Sequence, residues 1–170
     1  MLPIRNSIRI LLLNEDNQIL LMLAEDPKTY LKNSKPLDRF WFTIGGALKD
    51  NETDRQAAIR ELFEETGLNH KDVEFGPTVW FGEYEIILNG VLTFLKQRFI
   101  VAKTKNKNVF LNKLDENEKK VIKKLRWFSL KDIINSKDVI FPILLPKYLP
   151  NILNGKYPKK PTKIQLAINT

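Results

Sequence analysis

The feature that most constrains this chain is a run of acidic residues between Gly45 and Leu68. If the run is helical, Glu61, Glu64 and Glu65 share one face, because residues three and four apart are neighbours on a helix. Bare carboxylates about 4 Å apart repel each other by about 4 kcal/mol at an effective dielectric of about 20. Such a cluster therefore indicates a cation bound in front of it. Oxygen ligands without a neighbouring histidine or cysteine favour a hard ion, Mg²⁺ or Mn²⁺.

The ends of this helix are also marked in the sequence. Thr53 followed by Gln56 is a capping box, which predicts a helix start near Asp54, and Gly67 predicts the helix end. The opposite face carries apolar residues that we expect to pack on a core, namely Ile59, Leu62 and Phe63. The competing interpretation is a solvated glutamate face, which is common on surface helices. The two defined ends and the preceding pair of glycines favour the cation site.

The rest of the chain predicts strands with a few interspersed helices. Turn residues at 14–17 and at Asn89-Gly90 predict hairpins between apolar, β-branched runs. The expected strands cover residues 7–13, 18–23, 39–44, 73–81, 83–88, 91–103 and 125–128. The other expected helices cover 115–124, 129–135 and 143–153, and residues 25–39 form a long loop. This order predicts an α/β or α+β domain built in layers.

Composition limits the class of protein. The 170 residues are enough for one domain, which we assign to residues 1–155, with a basic tail at 156–170 that is partly ordered at best. The absence of cysteine excludes disulfides and thiolate chemistry. The early apolar run at 10–13 is too short for a signal peptide or a membrane span, so we expect a cytoplasmic protein without a membrane partner. A formal charge of +8 favours anionic partners, nucleic acids included, although the thin spread of the lysines favours a solvated surface.

The acidic stretch resembles the Nudix box, the pattern G-x5-E-x7-R-E-U-x-E-E-x-G-U in which U is a bulky apolar residue. Every specified position is matched without an insertion, by Gly46, Glu52, Arg60, Glu61, Leu62, Glu64, Glu65, Gly67 and Leu68. The flanking strand order also resembles the family's fold, an α/β/α sandwich with a mixed β-sheet between helices. One departure is Ile44, which stands where many members carry proline.

This resemblance implies Mg²⁺-dependent hydrolysis of a nucleoside diphosphate linked to another moiety, such as a nucleoside triphosphate or a dinucleoside polyphosphate. By matched position, Glu64 and Glu65 would be the principal metal ligands. Glu61 would be a further ligand or the base that activates water, and the Gly46 carbonyl would also face the metal. Arg60 is thereby grouped with Glu61 and Glu64 in the catalytic set, and it would also form a structural brace with Glu52.

Members of this family often recruit an acid from outside the box. Glu118 is the first candidate for this role. The alternatives lie nearby or in the predicted hairpin, at Asp115, Glu116, Glu83 and Glu85. For each of these residues the competing interpretation is a solvated surface side chain.

The substrate stays open at the level of sequence. The signatures of members that prefer ADP-ribose, NADH or coenzyme A are absent. Tyr84 stands where diadenosine polyphosphate hydrolases often carry tyrosine, but packing explains it as well. Two alternatives remain, an RNA 5′-end pyrophosphohydrolase, which the basic composition suggests, and a non-catalytic nucleotide sensor, which usually loses box acids. Dimers are common in the family, so the resemblance is compatible with a monomer or a homodimer.

Overall fold

The computed structural model of the protein describes residues 1–167. Its strands are β1 (Ile4–Leu13), β2 (Ile19–Ala24), β3 (Tyr30–Leu31), β4 (Phe40–Ala47), β5 (Val73–Leu88), β6 (Val91–Thr104), β7 (Ile122–Phe128), β8 (Val139–Phe141) and β9 (Thr162–Lys163). Its helices are α1 (Asp54–Thr66), α2 (Glu116–Val121), α3 (Leu130–Ile134) and α4 (Leu145–Leu153). None of the helices in this part of the chain is long and apolar enough to cross a membrane.

These strands form one mixed sheet, whose main order is β3-β5-β6-β1-β2-β4-β8. Off this path, β7 pairs with β2 and β9 pairs with β5. The pairs β1–β6, β4–β8 and β5–β9 are parallel. β4 changes its partner along its length, because it pairs with β2 through Thr43 and with β1 from Ile44 onward. We call this point, at Thr43 and Ile44, the strand fork.

The sheet separates two hydrophobic layers, because successive side chains of a strand point to opposite faces. On one face, Ile8 and Ile10 of β1 pack in a core that includes Leu62 of α1. On the other face, Leu11 of β1 packs in a core that includes Leu149 of α4. The architecture is therefore the predicted α/β/α sandwich, with a mixed sheet between helices.

The predicted strands and hairpins are largely present. The turn at Asn89-Gly90 joins β5 to β6, and both residues have positive φ, 50° and 81°, as a tight hairpin turn requires. The runs at 73–81 and 83–88 are a single strand, β5. Its pairing with β6 shifts register between Phe75 and Thr78, around Gly76 and Pro77, so these two residues distort the strand without ending it.

The predicted core face of α1 is partly wrong. Phe63 was assigned to the core, yet it is 45% exposed. The helix instead buries Glu61 and Glu65 together with Leu62. The physical reason is that polar groups lie at the end of β4. They are partners or neighbours of the two carboxylates, whereas a phenyl ring could form no hydrogen bond with them.

The residues after 155 contribute to the packed structure. β9 lies parallel to β5, and Ile164 and Leu166 are each only 3% exposed in the core on the α4 side of the sheet. Gly82 makes room for them, since a Cβ there would lie 2.6 Å from Leu166 Cγ. We therefore propose that the domain continues beyond residue 155 to Ala167. Residues 168–170 of the assigned tail lie outside the described part of the chain.

Candidate functional site

Both ends of α1 are where the sequence predicts them. Gln56 N donates to Thr53 Oγ1 at 3.2 Å, and Thr53 N donates to Gln56 Oε1 at 2.9 Å, so the capping box is complete. At the other end, Gly67 adopts a left-handed conformation with φ of 77°, and its amide donates to Phe63 O at 3.0 Å. The helix that carries the box acids is thus held at defined residues.

Arg60 is the centre of a hydrogen-bond network at the start of the site. Its Nε and Nη2 donate to the two carboxylate oxygens of Glu52 at 2.8 and 2.9 Å, a bidentate pair. Its Nη2 also donates to Ala47 O at 2.9 Å. Its Nη1 donates to Glu61 Oε1 at 2.8 Å and to Glu64 Oε2 at 3.3 Å. One guanidinium therefore holds the loop before α1 and two box acids in one arrangement.

The charges of this network shift the proton affinities of its members. The hydrogen bonds from Arg60 lower the pKa of Glu52 to about 2, although its partial burial acts in the opposite direction. The same hydrogen bonds raise the pKa of Arg60, with a further contribution from Glu61. Glu52 and Arg60 consequently form an ion pair at neutral pH.

The two glycines at the end of β4 bring the backbone close to the acids. Gly45 N donates to Glu65 Oε2 at 2.8 Å. A Cβ on Gly46 would lie 2.4 Å from Glu61 Oε1, so a side chain at this position would displace that carboxylate. Gly45 itself has φ of 131°, and a Cβ there would lie 2.1 Å from Ile8 O. The glycine pair is required by the close approach of two carboxylates and of β1.

Glu65 is a buried carboxylate, with a residue exposure of 2%. Burial raises its pKa well above the ordinary value, and the negative charges of Glu61 and, less strongly, Glu118 add to this effect. The charge of Arg9 and the hydrogen bond from Gly45 lower the pKa and compensate only in part. The site therefore holds more buried negative charge than its own residues neutralise.

Arg9 is a neighbour of the site that the sequence analysis missed. It lies opposite Gly45 in the ladder between β1 and β4, and it is only 8% exposed. Its Nη1 donates to Thr43 O at the strand fork, at 2.8 Å, while its buried Nε has no hydrogen-bond partner within residues 1–167. Burial lowers its pKa, against which the charge of Glu65 acts. The available signal was an arginine inside an otherwise apolar run, between Ile8 and Ile10.

Glu118, the candidate acid from outside the box, is half-buried in α2. It forms a capping box with Asp115, in which Glu118 N donates to Asp115 Oδ1 at 2.8 Å and Asp115 N donates to Glu118 Oε1 at 3.1 Å. Burial raises the pKa of Glu118, and the negative charges of Asp115 and Glu61 raise it further. Glu118 therefore lies within electrostatic range of Glu61 and Glu65, and its role stays a prediction.

The alternative acids have other partners. Glu85 pairs with Lys32, and Glu83 lies 3.6 Å from Lys163 Nζ. Glu116 is paired with Lys119 at 3.0 Å, and its side chain is 85% exposed. None of these three acids is among the groups that shift the pKa of Glu65. The structure therefore brings Glu118, rather than these residues, near the box acids.

The aromatic residues of the strands mostly fill the core. Trp41 and Trp80 are each 4% exposed, and Tyr84 is 9% exposed. Burial raises the pKa of Tyr84 to about 12. Packing thus explains all three residues. Phe81, at 38% exposure, remains accessible.

The carboxylate oxygens of Glu61, Glu64 and Glu65 fit a hard divalent cation, although the three side chains do not converge on one point. Within residues 1–167, no three histidine or acidic side chains converge on one point in the manner of a metal cluster. Arg60 instead bridges Glu61 and Glu64. The fit rests on the buried pair of Glu61 and Glu65, whose mutual repulsion a cation would remove, and on oxygen-only donors.

The sandwich and its loop–helix motif with paired acids define a fold of the Nudix type. Residues 3–145 match the sequence profile of the NUDIX domain, so the chain belongs to this family. A similar structure is that of a C. elegans Ap4A hydrolase binary complex, with a TM-score of 0.63, 19% identity, and coverage of 89% of this chain and 98% of that chain. Another is the MutT protein from Methanosarcina mazei Go1, with a TM-score of 0.56, 20% identity, and coverage of 94% and 98%. Identities this low show the fold alone.

Curated relatives are similar over part of the chain. An RNA pyrophosphohydrolase of Histophilus somni (strain 2336) is 40% identical over 70 residues, which are 41% of this chain and 31% of the relative. An RNA pyrophosphohydrolase of Wolbachia pipientis subsp. Culex pipiens is 30% identical over 107 residues, which are 58% of this chain and 64% of the relative. The chain therefore spans less than two thirds of the length of these relatives.

Proposed function

We propose that this protein is a divalent-metal-dependent hydrolase that cleaves a phosphoric anhydride bond in a nucleotide or a nucleotide derivative. The observation that carries the proposal is the pair of buried carboxylates, Glu61 and Glu65, beside the backbone of Gly45 and Gly46. The cost of burying the charge of Glu65 beside Glu61 is offset only in part by Arg9 and by the amide of Gly45. A cation-binding role explains this cost, and a purely structural role does not.

Glu61, Glu64, Glu65 and the carbonyl of Gly46 would hold Mg²⁺ or Mn²⁺. The bound ion would neutralise the substrate's phosphate oxygens and lower the pKa of a bound water. Gly45 N holds one oxygen of Glu65, so this carboxylate is oriented before any ligand arrives. Arg60 holds Glu61 and Glu64 in the same way, and its pairing with Glu52 keeps it in place.

We propose Glu118 as the general base, whose carboxylate accepts a proton from the attacking water. Its Oε1 is engaged by the amide of Asp115, and its Oε2 has no hydrogen-bond partner within the described residues. Burial and the charge of Glu61 raise its pKa, which moves this carboxyl towards the range in which a general base operates at neutral pH. Glu61 is the alternative for the same role.

A second candidate function is hydrolysis of the 5′ end of RNA. It is favoured by the names of the relatives from Histophilus somni and Wolbachia pipientis, and by the formal charge of +8, since basic proteins attract polyanions. A non-catalytic sensor is disfavoured, because all acids of the box are retained.

The test is a product-release screen in Mg²⁺ with nucleoside triphosphates, dinucleoside polyphosphates and 5′-triphosphate RNA. We expect turnover of at least one class, and a loss of about 100-fold or more in Glu64→Gln and in Glu65→Gln, because each change removes a charged ligand. Glu74→Gln, on an exposed residue of β5, is the matched control. Tight nucleotide binding without turnover in the wild type would instead support a sensor.

A further inference from the structure

The carboxyl end of α1 is held by a segment that is distant in sequence. The last carbonyls of a helix have no partner within the helix and need one elsewhere. Phe110 N donates to Thr66 O at 3.1 Å, and Lys113 N donates to Glu64 O at 2.7 Å. Asn112 contributes twice, through its amide to Glu64 O at 3.3 Å and through Nδ2 to Phe63 O at 3.0 Å. We call the segment that forms these four hydrogen bonds, residues 109–113, the clamp.

Packing strengthens the clamp. The ring of Phe110 lies against Gly67, where a Cβ would be 2.6 Å from Phe110 Cζ. Val109, Leu111 and, just beyond the clamp, Leu114 are partly buried against the core on the α1 side of the sheet. Alternate residues are therefore anchored by apolar contacts, while the backbone is anchored to α1. A loop with both kinds of contact is not free to move independently of the helix.

The clamp leads directly to Glu118. Lys113 is bonded to the backbone of Glu64, and Asp115, two residues later, caps α2. The reciprocal capping box then ties Glu118 to Asp115. A short path thus connects the end of α1 with the half-buried carboxyl of Glu118, through hydrogen bonds at Lys113 and at Asp115 and through the chain between them. The electrostatic coupling of Glu118 with Glu61 and Glu65 is consistent with this path.

We propose that the clamp sets the position of Glu118 relative to the box acids, with Asn112 as a positioning residue that acts through Glu118. This inference rests on the proposed function for its catalytic consequence. Within residues 1–167, Asn112 forms no hydrogen bond with a carboxylate, and the hydrogen bond of its side chain is to Phe63 O. Its removal changes where Glu118 sits and leaves the composition of the site unchanged.

The kinetic test is a double-mutant cycle with the nucleotide substrate found by the screen. We expect Asn112→Ala to lower kcat by about 10-fold with little change in KM, because small displacements of a reacting group have effects of this size. In the Glu118→Gln background the same change lowers kcat less than about 2-fold. Asn108→Ala is the matched control, since the Asn108 side chain forms no hydrogen bond within residues 1–167. An equal loss in both backgrounds would overturn the proposal, since Asn112 would then act on the fold alone.

A second readout does not require activity. Amide hydrogen exchange of the metal-free protein, followed by NMR, compares wild type, Asn112→Ala and Asn108→Ala. We expect Asn112→Ala to raise the exchange rates of Lys113 and also of Glu118 and Lys119 by about 10-fold, while the amides of the first two turns of α1 are unchanged. Unchanged exchange at Glu118 and Lys119 overturns the proposal. If the wild type hydrolyses none of the substrates, the proposed function fails, and this exchange measurement still decides whether the clamp controls α2.

Discussion

The two ends of α1 are held in different ways. At the amino end, Thr53 and Gln56 cap each other, and Arg60 binds Glu52 and Ala47 O, the latter 13 residues away. At the carboxyl end, Asn112 binds Phe63 O from 49 residues away. The contacts at the amino end thus lie within the stretch that matches the box, whereas the carboxyl end, besides its cap at Gly67, also depends on a loop outside that stretch. A match to the box pattern therefore accounts for the amino end and for the helix stop at Gly67, and it does not account for the contacts that Asn112 makes.

The largest effect is expected at the amino end, from Arg60→Met. This change leaves Glu52 and Glu61 without their main partner in a largely buried setting, where the two side chains are 17% and 8% exposed. We expect a loss of about 3 kcal/mol in the free energy of unfolding, measured by urea denaturation. Arg55→Met is the control and should cost less than about 1 kcal/mol, since the Arg55 guanidinium lies over the ring of Phe75, 5.0 Å from its centroid, and forms no ion pair within the described residues. Equal losses for both would show that the network does not hold the amino end.

The next effect is at the carboxyl end, from Gly67→Ala. The positive φ alone costs about 1–2 kcal/mol, and the contact with the Phe110 ring adds to it, so we expect a loss of about 2–3 kcal/mol in total. In the Phe110→Ala background only the backbone part remains. Gly155→Ala is the control, because Gly155 has φ of 70° and nothing within 4 Å of an added Cβ. Equal losses in the free energy of unfolding for Gly67→Ala and Gly155→Ala would argue against a role for the clamp.

A smaller effect is expected from Thr53→Ala, which removes one side-chain acceptor of the capping box. The expected loss is about 1 kcal/mol in the free energy of unfolding. Asn112→Ala removes one hydrogen bond at the opposite end and should cost a similar amount, about 1 kcal/mol. The two changes should add in the double variant, since they are at opposite ends of a helix of 13 residues. A marked departure from additivity would show that the two ends are coupled.

The last prediction concerns the pH dependence of stability in the metal-free protein. The pKa of Glu52 is lowered from 4.5 to about 2, so its stabilising contribution is present above pH 4.5 and is lost as the pH falls towards 2. The pKa of Glu65 is raised, so its ionisation lowers stability as the pH rises above 4.5. The free energy of unfolding, measured with urea between pH 2 and 8, should depend less on pH below pH 4.5 in Glu52→Gln. In Glu65→Gln it should depend less on pH above pH 4.5. Identical profiles for both variants would contradict these opposite signs.

Much of the fold and of the box geometry could be predicted because the determinants are local. The capping box at Thr53, the helix end at Gly67 and the turn at Asn89-Gly90 depend on neighbouring residues. The pairing of Glu52 with Arg60 is also present in the structure, eight residues apart, as the family resemblance implied. The order of strands and helices indicates a layered domain, and the family resemblance implied its α/β/α arrangement.

The residues that were missed depend on distant parts of the chain. Arg9 lies beside the site because it donates a hydrogen bond to Thr43 O at the strand fork, 34 residues later in the chain. Asn112 contacts α1 because strands β5 and β6 bring the chain back to this helix. Phe63 was placed in the core because periodicity alone cannot show that Glu61 and Glu65 would be buried at the glycine pair. Sequence periodicity reports which residues share a face, and it does not report which face the sheet will cover.

The parallel pairing of β1 with β6 has a consequence for the order of folding. Each of its rungs joins residues 90 positions apart, from Ile4 with Phe94 to Leu13 with Lys103. Closing so long a loop costs chain entropy before any contact repays it, which slows folding. We therefore expect the edge of β1 that faces β6 to be paired late in folding. We expect a chain ending after β5 to retain every residue of the box and yet remain unfolded, which circular dichroism would show.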